Sequence, residues 1–236
     1  MKISQILTIF TLGIVGGIFA DQILWPYFIE RPLFYQYRLE QNPIYVTEKK
    51  EITIRENLAL QNAVEKVEKV VVGVKTKTET GQILEGSGLI ITSDGLIVTL
   101  AELVPKGSIF SFFVSEESVH FQILKRDSKE NLALIKIDKT NLSTLSFANL
   151  EKIRLGERVF LVGIVFEKEG PQKIVNEGII RTFSEDLIET SIFEENVLSG
   201  SPLFDIEGNI LGLNETTKEG QVLTIPISKI REFTGL

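Results

Sequence analysis

From residue 70 to residue 236 the chain consists of short runs rich in β-branched residues, separated by glycine, asparagine and aspartate. That alternation admits barrels or a sandwich and little else. The expected strands cover 70–74, 82–92, 96–99, 109–114, 119–124, 132–137, 158–165, 174–183, 187–190, 202–205, 210–213 and 222–225. Ser93-Asp94-Gly95 reads as a hairpin turn and Glu207-Gly208-Asn209 as another. Helices are expected only over 62–69, in a turn after Thr99 and over 228–233. No internal repeat, P-loop or dinucleotide fingerprint interrupts the pattern.

The first residues follow a different rule. Eighteen residues, 3–20, carry no charge between Lys2 and Asp21, and as a helix they reach about 27 Å. This predicts a transmembrane anchor. A cleaved signal peptide is the competing reading, against which Ile18-Phe19-Ala20 makes a poor small-x-small site. Lys2 and the terminal amine place the N-terminus inside the cytoplasmic membrane and the remainder outside. Gly13 and Gly17 fit a helix-packing spacing, although glycine is common in such helices. Trp25, Tyr27, Phe28, Phe34, Tyr35 and Tyr37 crowd the next stretch around Pro26 and Pro32. Amphipathic rings favour the headgroup level, and a subunit contact is the alternative use for them. Dense charge over 48–69, with Leu58, Leu60, Ala63, Val64 and Val67 at helical spacing, suggests a stalk ending in a short helix. The expected organisation is an anchor at 1–25, a juxtamembrane segment at 26–66 and a β domain at 67–236.

Composition removes several classes of function. Lys plus Arg number 25 against 32 for Asp plus Glu, a net charge of −7 without a basic patch, so a nucleic-acid partner is not expected. The absence of Cys rules out disulfides, thiolate metal sites and cysteine nucleophiles together. A single histidine, His120, leaves no basis for a His-rich metal centre, and neither metal nor cofactor is expected.

Three segments and a short terminal strand carry a resemblance. Residues 85–99, EGSGLIITSDGLIVT, resemble the G-S-G-x-I-I-x-x-D-G-x-I-V-T hairpin of HtrA-type (DegP/DegS-like) serine proteases. Residues 126–137, RDSKENLALIKI, resemble that family's D-x-x-x-D-(I/L)-A-L-L-K-(I/V) strand. Residues 199–213, SGSPLFDIEGNILGL, are similar to N-S-G-G-P-L-x-x-x-x-G-x-(V/I)-I-G-I, and Thr224-Ile225-Pro226-Ile227 to the A-I-P strand near the end of such domains. The resemblance implies an all-β fold, a trypsin-like double six-stranded β-barrel with the N-terminal transmembrane helix in front. The barrels would occupy about 67–145 and 146–236. It also implies trimers, and no PDZ domain is expected after Leu236.

Acyl transfer on this fold needs a serine nucleophile, a histidine base, a carboxylate that orients it and backbone amides around the oxyanion. The resemblance puts Ser199, followed by Gly200, at the nucleophile position. The histidine position falls on Glu102, in Thr99-Leu100-Ala101-Glu102-Leu103, and the aspartate position on Asn131. The oxyanion amides would belong to Val197 and Ser199, with β-branched Val197 standing where the family has glycine. An ordinary glutamate is a weaker base than histidine at neutral pH and returns the proton poorly. A self-satisfied Glu102–Asn131–Ser199 polar cluster is therefore expected. His120 is expected on a strand face, Lys106 is one lysine that a Ser–Lys arrangement could use, and Glu194 and Glu195 are expected to be solvated. The reading that follows is a membrane-anchored HtrA-like homologue without proteolysis, binding exposed polypeptide or another envelope protein in an extended mode. Two alternatives stay open: an active endopeptidase with Ser199 and a non-standard base, and a scaffold assembling through the aromatic segment.

Overall fold

The computed structural model describes residues 3–30, 58–115, 117–194 and 198–236. Phe34, Tyr35, Tyr37, Glu195 and Val197 lie outside the described residues, as do the side chains of Tyr27 and Phe28. Residues 1–55 and 56–236 form two separate units. In the first, α1 (Ile3–Phe19) continues as a π-helical stretch, Ala20–Glu30. Its Ile3–Trp25 portion has a mean hydropathy of 1.9 over 23 residues, long and apolar enough to cross a membrane or to serve as an export signal. Its side chains are exposed, Trp25 among them.

The second unit opens with α2 (58–67), whose Leu60, Ala63, Val64 and Val67 recur at three- and four-residue intervals and pack into the main core. Seven strands follow: β1 (Val71–Lys77), β2 (Ile83–Ile90), β3 (Leu96–Leu100), β4 (Ile109–Val114), β5 (Glu117–Val119), β6 (Phe121–Asp127) and β7 (Leu132–Ile137). Their order is β5-β4-β1-β2-β3-β7-β6, antiparallel throughout. The two edges of this sheet, β5 and β6, are separated in the chain by His120 alone. One bent strand thus begins on one edge and ends on the other, which reduces the seven strands to six positions around a barrel-like curl. The single strand expected over 119–124 is corrected accordingly: it breaks at His120, which is exposed in the gap, its carbonyl accepting from Asp138 N. Phe121, immediately after the break, packs against Phe112 at 4.7 Å between ring centroids.

Six further strands close a second barrel: β8 (Arg158–Glu167), β9 (Gly170–Phe183), β10 (Ile188–Phe193), β11 (Pro202–Asp205), β12 (Ile210–Thr216) and β13 (Gln221–Pro226). β8 explains how the halves join. Val159 and Leu161 face the interior of the second barrel, while Phe160, Val162 and Ile164 join the core shared with the first sheet. A strand buried on both faces shows the unbroken apolar run seen here, VFLVGIV. β9 begins at Gly170, four residues before the expected start, because β8 and β9 pair as one long hairpin whose Phe166 stacks edge-on against Phe113. The C-terminal helix α3 (Ile227–Thr234) buries Ile227, Ile230 and Phe233, and its Lys229 bridges Glu130 of the first half (3.3 Å) and Asp186 of the second (2.8 Å).

Candidate active site

The site is assembled by strand register. Leu100 of β3 pairs with Leu132 of β7, which sets the next residues out along each strand, Ala101 and Asn131, side by side. Ala101 N donates to Asn131 O (3.0 Å), and Glu102 N donates to Asn131 Oδ1 (3.0 Å). Asn131 adopts a left-handed backbone (φ +51), a conformation that asparagine tolerates better than most residues. The short 3-10 turn Ala101–Leu103 is tied down by Thr76 Oγ1, buried and donating to Leu103 O at 2.6 Å.

Ser199 precedes β11 on the other side of the cleft and is 5% exposed. Its carbonyl accepts from Ser87 N of β2 (2.9 Å), and Gly200 N donates to Asn214 O of β12 (2.7 Å). The chains meet so closely that side chains are excluded. A Cβ on Gly86 would lie 2.5 Å from Ser199 O, and one on Gly200, at φ +79, would lie 2.2 Å from Ser87 O. Ser87 Oγ, fully buried, accepts from Ile164 N (2.8 Å), linking the two halves behind the site. Asn214, also fully buried, donates through Nδ2 to Ser201 Oγ (3.1 Å) and accepts from Thr224 Oγ1 (2.6 Å).

Between these walls lies an open cavity of about 710 Å³, lined by Glu102, Leu103 and Ser199, by Gln82 and the start of β2 (83–85) and by Thr216, Thr217 and Lys218. Both flanking strands end their pairing here. β2 pairs with β3 only from Gly88 onward, leaving 83–87 with β1 as a strand partner. β12 pairs with β11 only up to Leu213. Asn214 directs its N–H and C=O toward 200–201, so the strand's two-residue period directs those of Thr216 the same way, past the end of that segment.

The expected polar cluster forms in part and has a different third member. Glu102 and Asn131 come together, but Asn131 Nδ2 donates to Glu215 Oε1 of β12 at 2.7 Å. Among the described residues no hydrogen bond engages the Ser199 hydroxyl. The Asn131 amide thus stands between two carboxylates from opposite halves. Although Glu102 as a residue is exposed, partial burial of its carboxyl pushes its pKa above the ordinary value; the Glu215 charge adds to this, and a hydrogen bond from Asn131 offsets part of it. A neutral amide at Asn131 therefore does not leave Glu102 free of carboxylate repulsion. Glu215 could not be found from a local motif; the one available signal is an acid inside an otherwise uncharged strand, 210–216. Lys106 is exposed in the turn before β4 and does not line the cavity, whereas Lys218 does. Glu194 is half-buried and accepts from Asn176 Nδ2, a correction to its expected solvation, since β9 and the end of β10 meet there. Among the described residues no group of three His, Asp or Glu could hold a metal ion.

A model of the trypsin-like peptidase domain matches residues 86–213, which include Glu102, Asn131 and Ser199. The chain belongs to the trypsin-like peptidase family. Within it, this chain is HtrA-like. It is 32% identical over 142 residues to a "Probable periplasmic serine endoprotease DegP-like" of Rhizobium meliloti (strain 1021), covering 55% of this chain and 27% of the relative. It is 33% identical over 163 residues to "Serine protease HTRA1" of Xenopus laevis, covering 63% and 35% respectively. The chain thus spans about a quarter to a third of the length of these relatives. The all-β, two-part architecture is that of the family.

Proposed function

We propose that this HtrA-like chain binds extended polypeptide in the Ser199 cleft, outside the cytoplasmic membrane, without hydrolysing it. The observation that carries the reading is the cleft itself: among the described residues, two strands whose pairing ends at the site flank a retained serine with no imidazole beside it. The sole histidine, His120, sits at the β5–β6 break and does not line the cavity. An extended peptide can pair with such edges through its main chain, a mode that needs no base. Glu102, at the position that the family resemblance gives to the histidine, is engaged with Asn131 and repelled by Glu215. Lys218 is exposed, and burial is what lets a lysine serve as a base. The apolar helix Ile3–Trp25 supports anchoring at the membrane, and the periplasmic designation of the Rhizobium relative supports the side.

The test uses the full chain in detergent, a fluorophosphonate probe and unfolded casein. Wild type should bind casein, leave it intact and remain unlabelled. A restored variant must do more than reinstate the triad. Asn131→Asp would replace the donor that faces Glu215 at 2.7 Å with a second carboxylate, so Glu215→Ser has to accompany Glu102→His, Asn131→Asp and Val197→Gly. Labelling of the fourfold variant supports a disabled enzyme. Labelling of wild-type Ser199 overturns the proposal in favour of an active endopeptidase.

A further inference from the structure

The charges around the cleft do not cancel. Glu85 is neutralised by Lys75 at 2.7 Å, and Lys218 is exposed on the far rim. Glu102 lines the cavity with Glu215 behind it, and among the described residues neither carboxylate is ion-paired. What they share is the neutral amide of Asn131, whose Oδ1 is taken by Glu102 N and whose Nδ2 serves Glu215. Thr216, which also lines the cavity, has its Oγ1 buried without a hydrogen-bond partner among the described residues.

We propose that the polypeptide held in this cleft presents a lysine or arginine to the Glu102 wall, its cation seated against the Glu102 carboxylate with Glu215 behind. This rests on the reading of the cleft as a polypeptide site. The strand edges fix the peptide backbone, successive side chains then point to alternate sides, and one of them faces Glu102. A cation there replaces the water that the Glu102 carboxyl has partly lost and relieves its repulsion with Glu215. Glu102's raised pKa agrees with a site short of positive charge. The groups facing it are Glu215 from β12, Lys218 beyond it and the Lys75–Glu85 pair from β1 and β2. The net charge of −7 speeds the encounter with a cationic peptide at low salt.

The experiment walks a single arginine along an otherwise uncharged, extended fluorescent peptide and measures binding to the full chain by anisotropy, with norleucine and glutamate at the same positions. At one position arginine should bind about tenfold tighter than norleucine, about 1.4 kcal/mol, with glutamate weaker than both. Glu102→Gln should erase that preference, so that the arginine and norleucine peptides bind alike, and acidification that protonates Glu102 should do the same. Peptides that bind alike whatever their charge overturn this inference and leave the polypeptide cleft standing. A preference that survives both Glu102→Gln and Glu215→Gln overturns it as well. If no peptide in the series binds, the reading of the cleft falls and the inference falls with it.

Discussion

The two walls of the cleft are held together by different physics. On the Ser199 wall the contacts that set position among the described residues are made by backbone groups and by the fully buried Asn214 amide: Ser87 N to Ser199 O, Gly200 N to Asn214 O, Asn214 Nδ2 to Ser201 Oγ. On the Glu102 wall the backbone is placed equally well by Asn131, but two carboxylates compete for one amide and the outer one is exposed. The first arrangement can change only at the cost of the fold. The second can change its side chains with little effect on stability, because water still reaches them. Backbone geometry and side-chain chemistry in this cleft are therefore separable: the side chains of the Glu102 wall can be exchanged without moving the contacts that hold the Ser199 wall.

The sharpest way to break that comparison is at the glycines. Gly200→Val puts a branched side chain at φ +79 and 2.2 Å from Ser87 O, and the adjoining backbone has no room to move. We expect a loss of roughly 4 kcal/mol or more in chemical denaturation, enough to unfold many domains of this size. A mild effect would mean that the Ser199 wall is softer than its hydrogen bonds suggest. Asn214→Ala comes next. It leaves Ser201 Oγ and Thr224 Oγ1 without their partner in a fully buried site, and about 2–3 kcal/mol should be lost. Asn214→Asp distinguishes hydrogen bonding from space: similar in shape, it loses the Nδ2 donor and buries a charge, so it should destabilise at least as much as the alanine.

The Glu102 wall should respond in the opposite direction. Glu102's pKa is higher in the folded chain than its ordinary value of 4.5, so the fold favours the protonated acid and penalises the charged one. Stability from this group is therefore greatest at low pH and falls as pH rises from that ordinary value through the raised folded one. Glu102→Gln should leave melting unchanged near pH 3, where the acid is already neutral, and raise stability at pH 7. Because the side chain is exposed, solvent screening holds the gain under about 1 kcal/mol. A melting curve that moves down at pH 7 would show that the carboxylate contributes favourably and that the two walls are alike.

How much of this was legible in the sequence follows the same division. The strand cores over 109–114, 132–137 and 202–205 coincide with β4, β7 and β11, because β-branched residues bounded by turn formers leave the backbone few options. The placement of Asn131 beside Glu102 follows from the pairing of β3 with β7, both of which the pattern displays. What the sequence concealed depends on tertiary geometry. The break at His120 exists because one strand must serve both edges of the first sheet, and no local residue announces it. The extension of β9 back to Gly170 is supported by Phe166 packing on Phe113, across the seam between halves. Glu215 lies 84 residues from the amide it meets, so only the closed second barrel brings it to Asn131.

The smallest expected effect tests whether the two walls move as one body. Lys229 of α3 holds Glu130, next to Asn131, at 3.3 Å and Asp186 of the second barrel at 2.8 Å, so it connects the structure behind each wall. Its hydrogen bond to Asp186, the largest cause, raises the Lys229 pKa above 10.5, and the same pair lowers that of Asp186. The lysine's contribution is present below its ordinary value and lost as pH rises through the folded one. The aspartate's is present above 3.8 and lost as pH falls through its lowered folded value. Asp186 is well exposed and Lys229 and Glu130 are half-buried at the surface, where such bridges contribute little to global stability and less at high salt. Lys229→Ala should therefore leave the melting temperature almost unchanged at neutral pH. If the bridge couples the walls, hydrogen exchange at Glu102 and Asn131 should nevertheless quicken in the variant while exchange at Gly200, held by Asn214 alone, does not. Equal quickening on both sides would mean that α3 clamps the whole cleft, and that shape and chemistry are less independent than the two sets of contacts imply.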